Sequence, residues 1–156
     1  MDQAKESQSV CIQNNQFIYV IGGYKYPNIC NDIEKYEIAD NSWVTIKIKS
    51  YLMKRLDAFS IQINPSRILI AGGYDASSLK NLKDCYIVDT TTGSLNKACD
   101  LPEADDFPSP SVLISDKNLY AISRGKSIIK YSIENNKWEK VCNNIVTAWE
   151  DIRGVC

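Results

Sequence analysis

The feature that most constrains the fold of this chain is a unit that recurs about every fifty residues. Each unit has a short apolar segment ending in Gly-Gly, then a segment carrying Tyr, and then Trp seven residues after that Tyr. The first copy is Ile18–Gly23 with Tyr36 and Trp43; altered copies are Ile68–Gly73 with Val88 and Leu95, and Leu119–Ile122 with Tyr131 and Trp138. Repetition at this period predicts similar supersecondary units stacked on one another.

The secondary structure predicted for each copy is four short strands separated by turn residues. The predicted strands are 10–13, 17–23, 32–38 and 43–48 in the first copy, 58–63, 67–73, 84–89 and 94–98 in the second, and 111–114, 118–123, 127–133 and 137–141 in the third. Asn, Asp, Gly and Pro in the gaps tolerate the backbone angles that close hairpins. Four antiparallel strands repeated three times predict an all-β protein built from propeller blades.

The chain resembles the kelch repeats, which carry Gly-Gly at the end of the second strand, Tyr in the third and Trp at the start of the fourth. The first copy has all of these, as Gly22-Gly23, Tyr36 and Trp43. The second copy keeps Gly72-Gly73 but has Val88 and Leu95, and the third keeps Tyr131 and Trp138 but has Ser123-Arg124 in place of the glycines. The resemblance implies three kelch-type β-propeller blades, each a four-stranded antiparallel sheet.

The predicted organisation is a polar segment at 1–9, repeats at 10–50, 51–100 and 101–144, and the start of a fourth repeat at 145–156. Arg55 and Arg153 occupy the position where kelch repeats often carry an Arg at the start of a blade. Propellers close with four to eight blades, so three blades form an incomplete ring. Missing flanking blades of a longer protein, self-association of two copies, or a partner would complete it.

The aromatic residues of the repeat are predicted to be core. Tyr36 with Trp43, and Tyr131 with Trp138, would each bury a large ring surface, and the glycine pairs would let the backbone bend and these rings pack closely. A ligand-stacking role for either Trp is the alternative.

The composition excludes several classes of function. The 18 basic and 19 acidic residues give a net charge of −1, which does not favour nucleic acid. No signal peptide or apolar run of about 20 residues is visible, so we expect a cytoplasmic protein that does not bind membranes. The chain has six Cys and no His. We therefore expect reduced, mostly buried thiols and no cofactor.

The sequence offers no recognisable catalytic set. The acidic cluster Glu103, Asp105 and Asp106 lacks any other ligand type and is flanked by prolines, which favours a stiff linker over a metal site. The basic stretch Lys47, Lys49, Lys54 and Arg55 is interpreted as a solvated outer strand and linker.

The candidate binding residues follow from the resemblance, because kelch loops between strands two and three and between blades gather on one face. On this chain they are Tyr24, Lys25, Tyr26, Asn28, Lys54, Asp57, Tyr74, Asp75, Ser77, Asp105, Asp106, Arg124 and Lys126. Mixed Tyr, Lys, Arg and Asp are typical of protein interfaces.

The first hypothesis is therefore a noncatalytic protein–protein interaction module, as part of an adaptor or scaffold. The alternatives are a sugar- or small-molecule-handling enzyme using Asp57 or Asp105 as acid–base group, and a cytoskeletal structural component.

Overall fold

A computed structural model describes residues 5–48, 54–104, 112–115, 117–123 and 127–143, and within these ranges every regular element is a β-strand. The first repeat contains β1 (Ser9–Gln13), β2 (Phe17–Ile21), β3 (Tyr24–Lys25), β4 (Asn28–Ile29), β5 (Asp32–Glu37) and β6 (Ser42–Lys47). The second contains β7 (Phe59–Asn64), β8 (Arg67–Ala71), β9 (Tyr74–Asp75), β10 (Lys80–Asn81), β11 (Cys85–Asp89) and β12 (Leu95–Ala98). The third contains β13 (Val112–Ser115), β14 (Asn118–Ser123), β15 (Ser127–Ser132) and β16 (Lys137–Asn143).

Three four-stranded antiparallel sheets account for the main strands, and each sheet is one repeat. Their orders are β1-β2-β5-β6, β7-β8-β11-β12 and β13-β14-β15-β16, here called blades 1, 2 and 3. The predicted all-β fold with three blades is thus confirmed, and the described sheets are not closed into a ring. The predicted start of a fourth repeat, including Arg153, lies outside the described residues.

The blades pack face to face, because alternate residues of each strand point to opposite faces of the sheet. Blade 1 contributes Tyr19, Ile21 and Ile33 to one apolar cluster, which blade 2 completes with Ile68 and Ile70. The other face of blade 2 packs on blade 3 in a second cluster that includes Leu69, Ala71, Cys85, Leu119, Tyr131 and Trp138. Blade 2 is therefore apolar on both faces.

The second strand of each of the first two blades ends two residues earlier than predicted. The predicted strands 17–23 and 67–73 stop at Ile21 and Ala71, because both glycines that follow have positive φ. The chain then enters a small hairpin whose two strands have two residues each, β3–β4 in blade 1 and β9–β10 in blade 2. The sequence predicts only loops in these two segments.

The glycine pair bends the backbone, as predicted, but the atoms nearest to its second glycine belong to the segment leading into the blade and not to aromatic rings, which corrects that part of the prediction. Gly73 has φ +98°, and a Cβ there would lie 2.7 Å from the Leu56 carbonyl oxygen. At Gly23, with φ +92°, it would lie 2.9 Å from the Glu6 carbonyl oxygen. Only glycine permits the segment leading into each blade to pass this close.

The two tryptophans have different environments. Trp138 is 6% exposed and packs in the cluster between blades 2 and 3, as predicted. Trp43 is 39% exposed, so the prediction that it is core is wrong. The reason is positional: the Tyr–Trp face of each blade packs on the preceding blade, and blade 1 has none before it among the described residues.

Candidate partner-binding loop face

Two tyrosine-bearing hairpins lie at one end of blades 1 and 2, each tied to the segment that leads into its blade. Tyr24 and Glu6 exchange backbone hydrogen bonds of 2.8 and 3.0 Å. Tyr74 and Leu56 exchange an equivalent pair of 2.7 and 2.9 Å. The same two bonds recur with a shift of 50 residues, so the position of each hairpin is part of the repeat.

The two units are also joined to each other. The Asp57 backbone N–H donates to the Ser7 carbonyl at 2.8 Å, and the Gly23 N–H donates to the Arg55 carbonyl at 3.4 Å. Asp57, a predicted site residue, is thereby held beside the first hairpin. We call the surface formed by residues 6–7, 24–29, 54–57 and 74–81 the loop face.

Arg55 lies buried beneath the loop face, so the prediction that it is solvated is wrong, whereas Lys47 and Lys54 of the same basic stretch are exposed as predicted. Lys49 lies outside the described residues. Its side chain is 2% exposed. Nη1 donates to the carbonyl oxygens of Gly72 at 2.8 Å and Asp84 at 3.1 Å, and Nη2 donates to Asp84 Oδ2 at 2.9 Å. The guanidinium also lies 5.3 Å from the Tyr86 ring centroid. Arg55 therefore has a structural role.

The counterpart of Arg55 in blade 1 is Lys5, which lies in the segment predicted from the sequence to be a polar N-terminal segment. Its ammonium contacts Asp32 Oδ1 at 2.8 Å and Glu34 Oε2 at 2.9 Å. The signal was available, since Lys5 lies 50 residues before Arg55 and Asp32 lies 52 before Asp84. The repeat thus begins earlier than the glycine and aromatic pattern indicates.

The loop face presents side chains of mixed chemistry to solvent. Tyr26 is 86% exposed, and its ring stands edge-on to Tyr24 at a centroid distance of 6.4 Å. Tyr24, Lys25, Tyr74 and Asp75 are half-buried, whereas Asn28, Lys54, Asp57 and Ser77 are exposed. Leu79, at 74% exposure, is not among the predicted site residues, because the prediction relies on Tyr and polar side chains.

Asp75 organises the second hairpin. Its Oδ1 accepts hydrogen bonds from the Ser77 hydroxyl at 2.6 Å and the Ser77 N–H at 2.9 Å, and its Oδ2 accepts one from the Ser78 hydroxyl at 2.7 Å. These bonds favour the charged form and lower the pKa of Asp75 to about 2. A carboxylate held this way is a fixed negative charge at neutral pH and not a proton donor.

The remaining predicted site residues, Asp105, Asp106, Arg124 and Lys126, lie outside the described residues. Glu103, from the same acidic cluster, is exposed and forms an ion pair with Lys140 of blade 3. Over the described ranges, no group of three or more His, Cys, Asp or Glu side chains is placed to hold a metal ion. The enzymatic alternative through Asp57 or Asp105 stays a prediction.

The described cysteines divide by environment. Burial raises the pKa of Cys11 and of Cys85 to about 12, so both are neutral thiols at pH 7. Cys30 is half-buried, while Cys99 and Cys142 are exposed. The expectation of mostly buried thiols therefore holds for only two of the five described.

Comparison with known proteins identifies the repeat. The family model for the Kelch motif matches residues 9–48, which is blade 1 from β1 through β6. No curated protein matches the chain. No helix in the described part of the chain has the length and apolar character to cross a membrane. The matched motif in blade 1 and the same strand order in blades 2 and 3 support a kelch-repeat family assignment.

Proposed function

We propose that this chain is a noncatalytic protein-interaction module of the kelch type, serving an adaptor or scaffold, and that its loop face binds the protein partner. Kelch repeats generally mediate protein interactions. The observation that carries the proposal is the rigid pairing of two exposed hairpins at one end of adjoining blades, with Tyr26 and Leu79 projecting from them.

The chemistry of the loop face supports a protein partner. Exposed Tyr and Leu side chains offer apolar area that a partner could bury, and the same two hairpins carry the half-buried Tyr24 and Tyr74. Lys25, Lys54, Asp57 and Asp75 supply charges of both signs around that area, as in the polar rim of an interface. Because the backbone bonds fix both hairpins, binding would order little additional chain, which lowers its entropic cost.

The test is affinity capture with the purified chain followed by quantitative mass spectrometry. We expect the double variant Tyr26→Ala/Leu79→Ala to lose at least about 10-fold of the enrichment of specific partners, since interface anchors of this type contribute about 2 kcal/mol or more. The control is Val44→Ala, which removes an exposed apolar side chain from the outer strand of blade 1, away from the loop face. Circular dichroism checks that each variant is folded. Undiminished capture by the double variant would overturn the assignment of the loop face.

A further inference from the structure

The two blade interfaces define which face of a blade covers which. We call the face toward the preceding blade the leading face and the opposite one the trailing face. Blade 2 places Ile68, Ile70, Val88 and Leu95 on its leading face, against the trailing face of blade 1. Blade 3 places Leu119, Ala121, Tyr131 and Trp138 on its leading face, against the trailing face of blade 2. Both interfaces therefore use the same strand positions.

The leading face of blade 1 is largely apolar and is not covered by another described blade. Strand register places Ile12, Ile18, Tyr36 and Trp43 in one row across the sheet, and Val10, Val20, Glu34 and Thr45 in the next. Val10 is 51% exposed, Ile12 is 57% exposed and Trp43 is 39% exposed. Their counterparts Tyr131 and Trp138 in blade 3 are 0% and 6% exposed.

The Tyr–Asn hydrogen bond of blade 3, whose Asn also accepts a bond from blade 2, has a counterpart on this uncovered face of blade 1. In blade 3, Asn136 Oδ1 accepts the Tyr131 hydroxyl at 2.7 Å and also the backbone N–H of Cys99 from blade 2 at 2.9 Å. In blade 1, Asn41 Oδ1 accepts the Tyr36 hydroxyl at 2.6 Å. Asn41 and Asn136 share the left-handed backbone, with φ of 49° and 47°. Blade 1 thus has the same acceptor, in the same conformation, at its leading face.

The trailing face of blade 3 is the chemical copy of a face that is already covered in this fold. Blade 1 presents Tyr19 paired with Lys35, and Ile21 paired with Ile33, on its trailing face. Blade 3 presents Tyr120 paired with Lys130, and Ile122 paired with Ile128, at the corresponding positions. The four residue types are identical and in the same register. In blade 1, Tyr19, Ile21 and Ile33 are buried against blade 2, whereas all four residues in blade 3 are half-buried.

We propose that the leading face of blade 1 binds the trailing face of blade 3 of a second copy of this chain. The contact would reproduce the stacking of the two internal interfaces, with the backbone N–H of Asn143 in the place of Cys99 as donor to Asn41 of the other copy. The faces that meet are different, so the contact is head-to-tail, and two such contacts close a pair of chains into a ring of six blades.

The experiment measures solution mass by analytical ultracentrifugation over a range of concentrations. We expect the unaltered chain to shift from 17.6 kDa toward twice that mass as concentration rises. Val10→Lys disables the leading face and should remain monomeric. Its matched control is Val44→Lys, since Val44 is 52% exposed in the same blade but lies on the opposite face, and this variant should dimerise normally.

Mixing two disabled variants tests the head-to-tail geometry. Ile122→Lys disables the trailing face and should be monomeric alone, but an equimolar mixture with Val10→Lys keeps one intact leading face and one intact trailing face. Association should therefore return in the mixture and in neither variant alone. If Ile122→Lys loses its circular dichroism spectrum, Cys142→Lys replaces it, because Cys142 is exposed and pairs with Ile128 on the same face.

Two results would overturn the proposal. A chain that stays at 17.6 kDa at every concentration would show that another blade or partner, and not a second copy, covers the leading face. A trailing-face variant that dimerises alone, while Val10→Lys does not, would show that two leading faces pair with each other.

Discussion

At the scale of single residues, the buried guanidinium of Arg55 joins the segment before blade 2 to the blade itself. It donates hydrogen bonds to the backbone carbonyls of Gly72 and Asp84 and to the Asp84 carboxylate, whose side chain is 26% exposed. Removing the cation leaves these acceptors without their partner in a buried place, which costs more than the bonds themselves contribute.

We expect Arg55→Ala to lower the free energy of unfolding by about 2–3 kcal/mol, measured by urea denaturation. The matched control is Arg67→Ala, because Arg67 is an exposed arginine on the neighbouring strand β8, and this change should stay within about 0.5 kcal/mol. Equal effects of the two substitutions would contradict the anchoring role of Arg55.

Asp75 makes the second hairpin dependent on pH. Its pKa in the folded chain is about 2, below the usual 3.8. The stabilisation that its charged form contributes is therefore complete above about pH 4 and is lost as pH falls through 2. We expect carboxyl ¹³C NMR to place the midpoint of Asp75 near 2. Ser77→Ala should move it up toward 3.8, since this change removes the Ser77 hydroxyl bond and keeps only the backbone N–H bond of residue 77. Ser94→Ala is the control, and a wild-type midpoint near 3.8 would contradict the hydrogen-bonded loop.

At the scale of the elements, sequence periodicity predicted the twelve main strands with boundaries within two residues, because alternation and turn residues are local signals. The two small hairpins were missed, since two-residue strands carry no periodicity. The exposure of Trp43 and the burial of Arg55 are not predicted, for another reason. Whether a side chain is covered depends on the neighbouring blade, and identical repeat positions look the same in the sequence whether or not a neighbour exists.

Replacing each of the two tryptophans in turn tests this dependence on the neighbouring blade. Both lie beside a tyrosine ring, at centroid distances of 4.9 Å, but only Trp138 packs between blades. We expect Trp138→Ala to lower the free energy of unfolding by about 3–5 kcal/mol, as for other buried large-to-small changes. Trp43→Ala should cost about 1 kcal/mol at concentrations where the chain is monomeric, because its ring is already partly in water. Equal losses would contradict the assignment of leading and trailing faces.

At the scale of the whole molecule, blade 2 couples the other two, because its central strand β8 supplies residues to both apolar clusters. Leu69 points toward blade 3 and Ile70 toward blade 1, and both are fully buried. In an array where each unit contacts only its neighbours, stability is a sum of unit and interface contributions. A substitution at one interface therefore lowers the stability of the more distant blade only when the blades unfold together.

Amide hydrogen exchange measures whether the three blades unfold together. Leu69→Ala removes packing against blade 3 and should cost about 3 kcal/mol of stability. If the blades unfold as one cooperative unit, the slowest amides of β2 in blade 1, at Tyr19 to Ile21, should lose protection by about the same free energy, although they lie at the other interface. Ile70→Ala is the comparison, because it should affect β2 directly in either case. Unchanged β2 exchange in Leu69→Ala would show that the blades open independently, with blade 1 held by its contact with blade 2 alone.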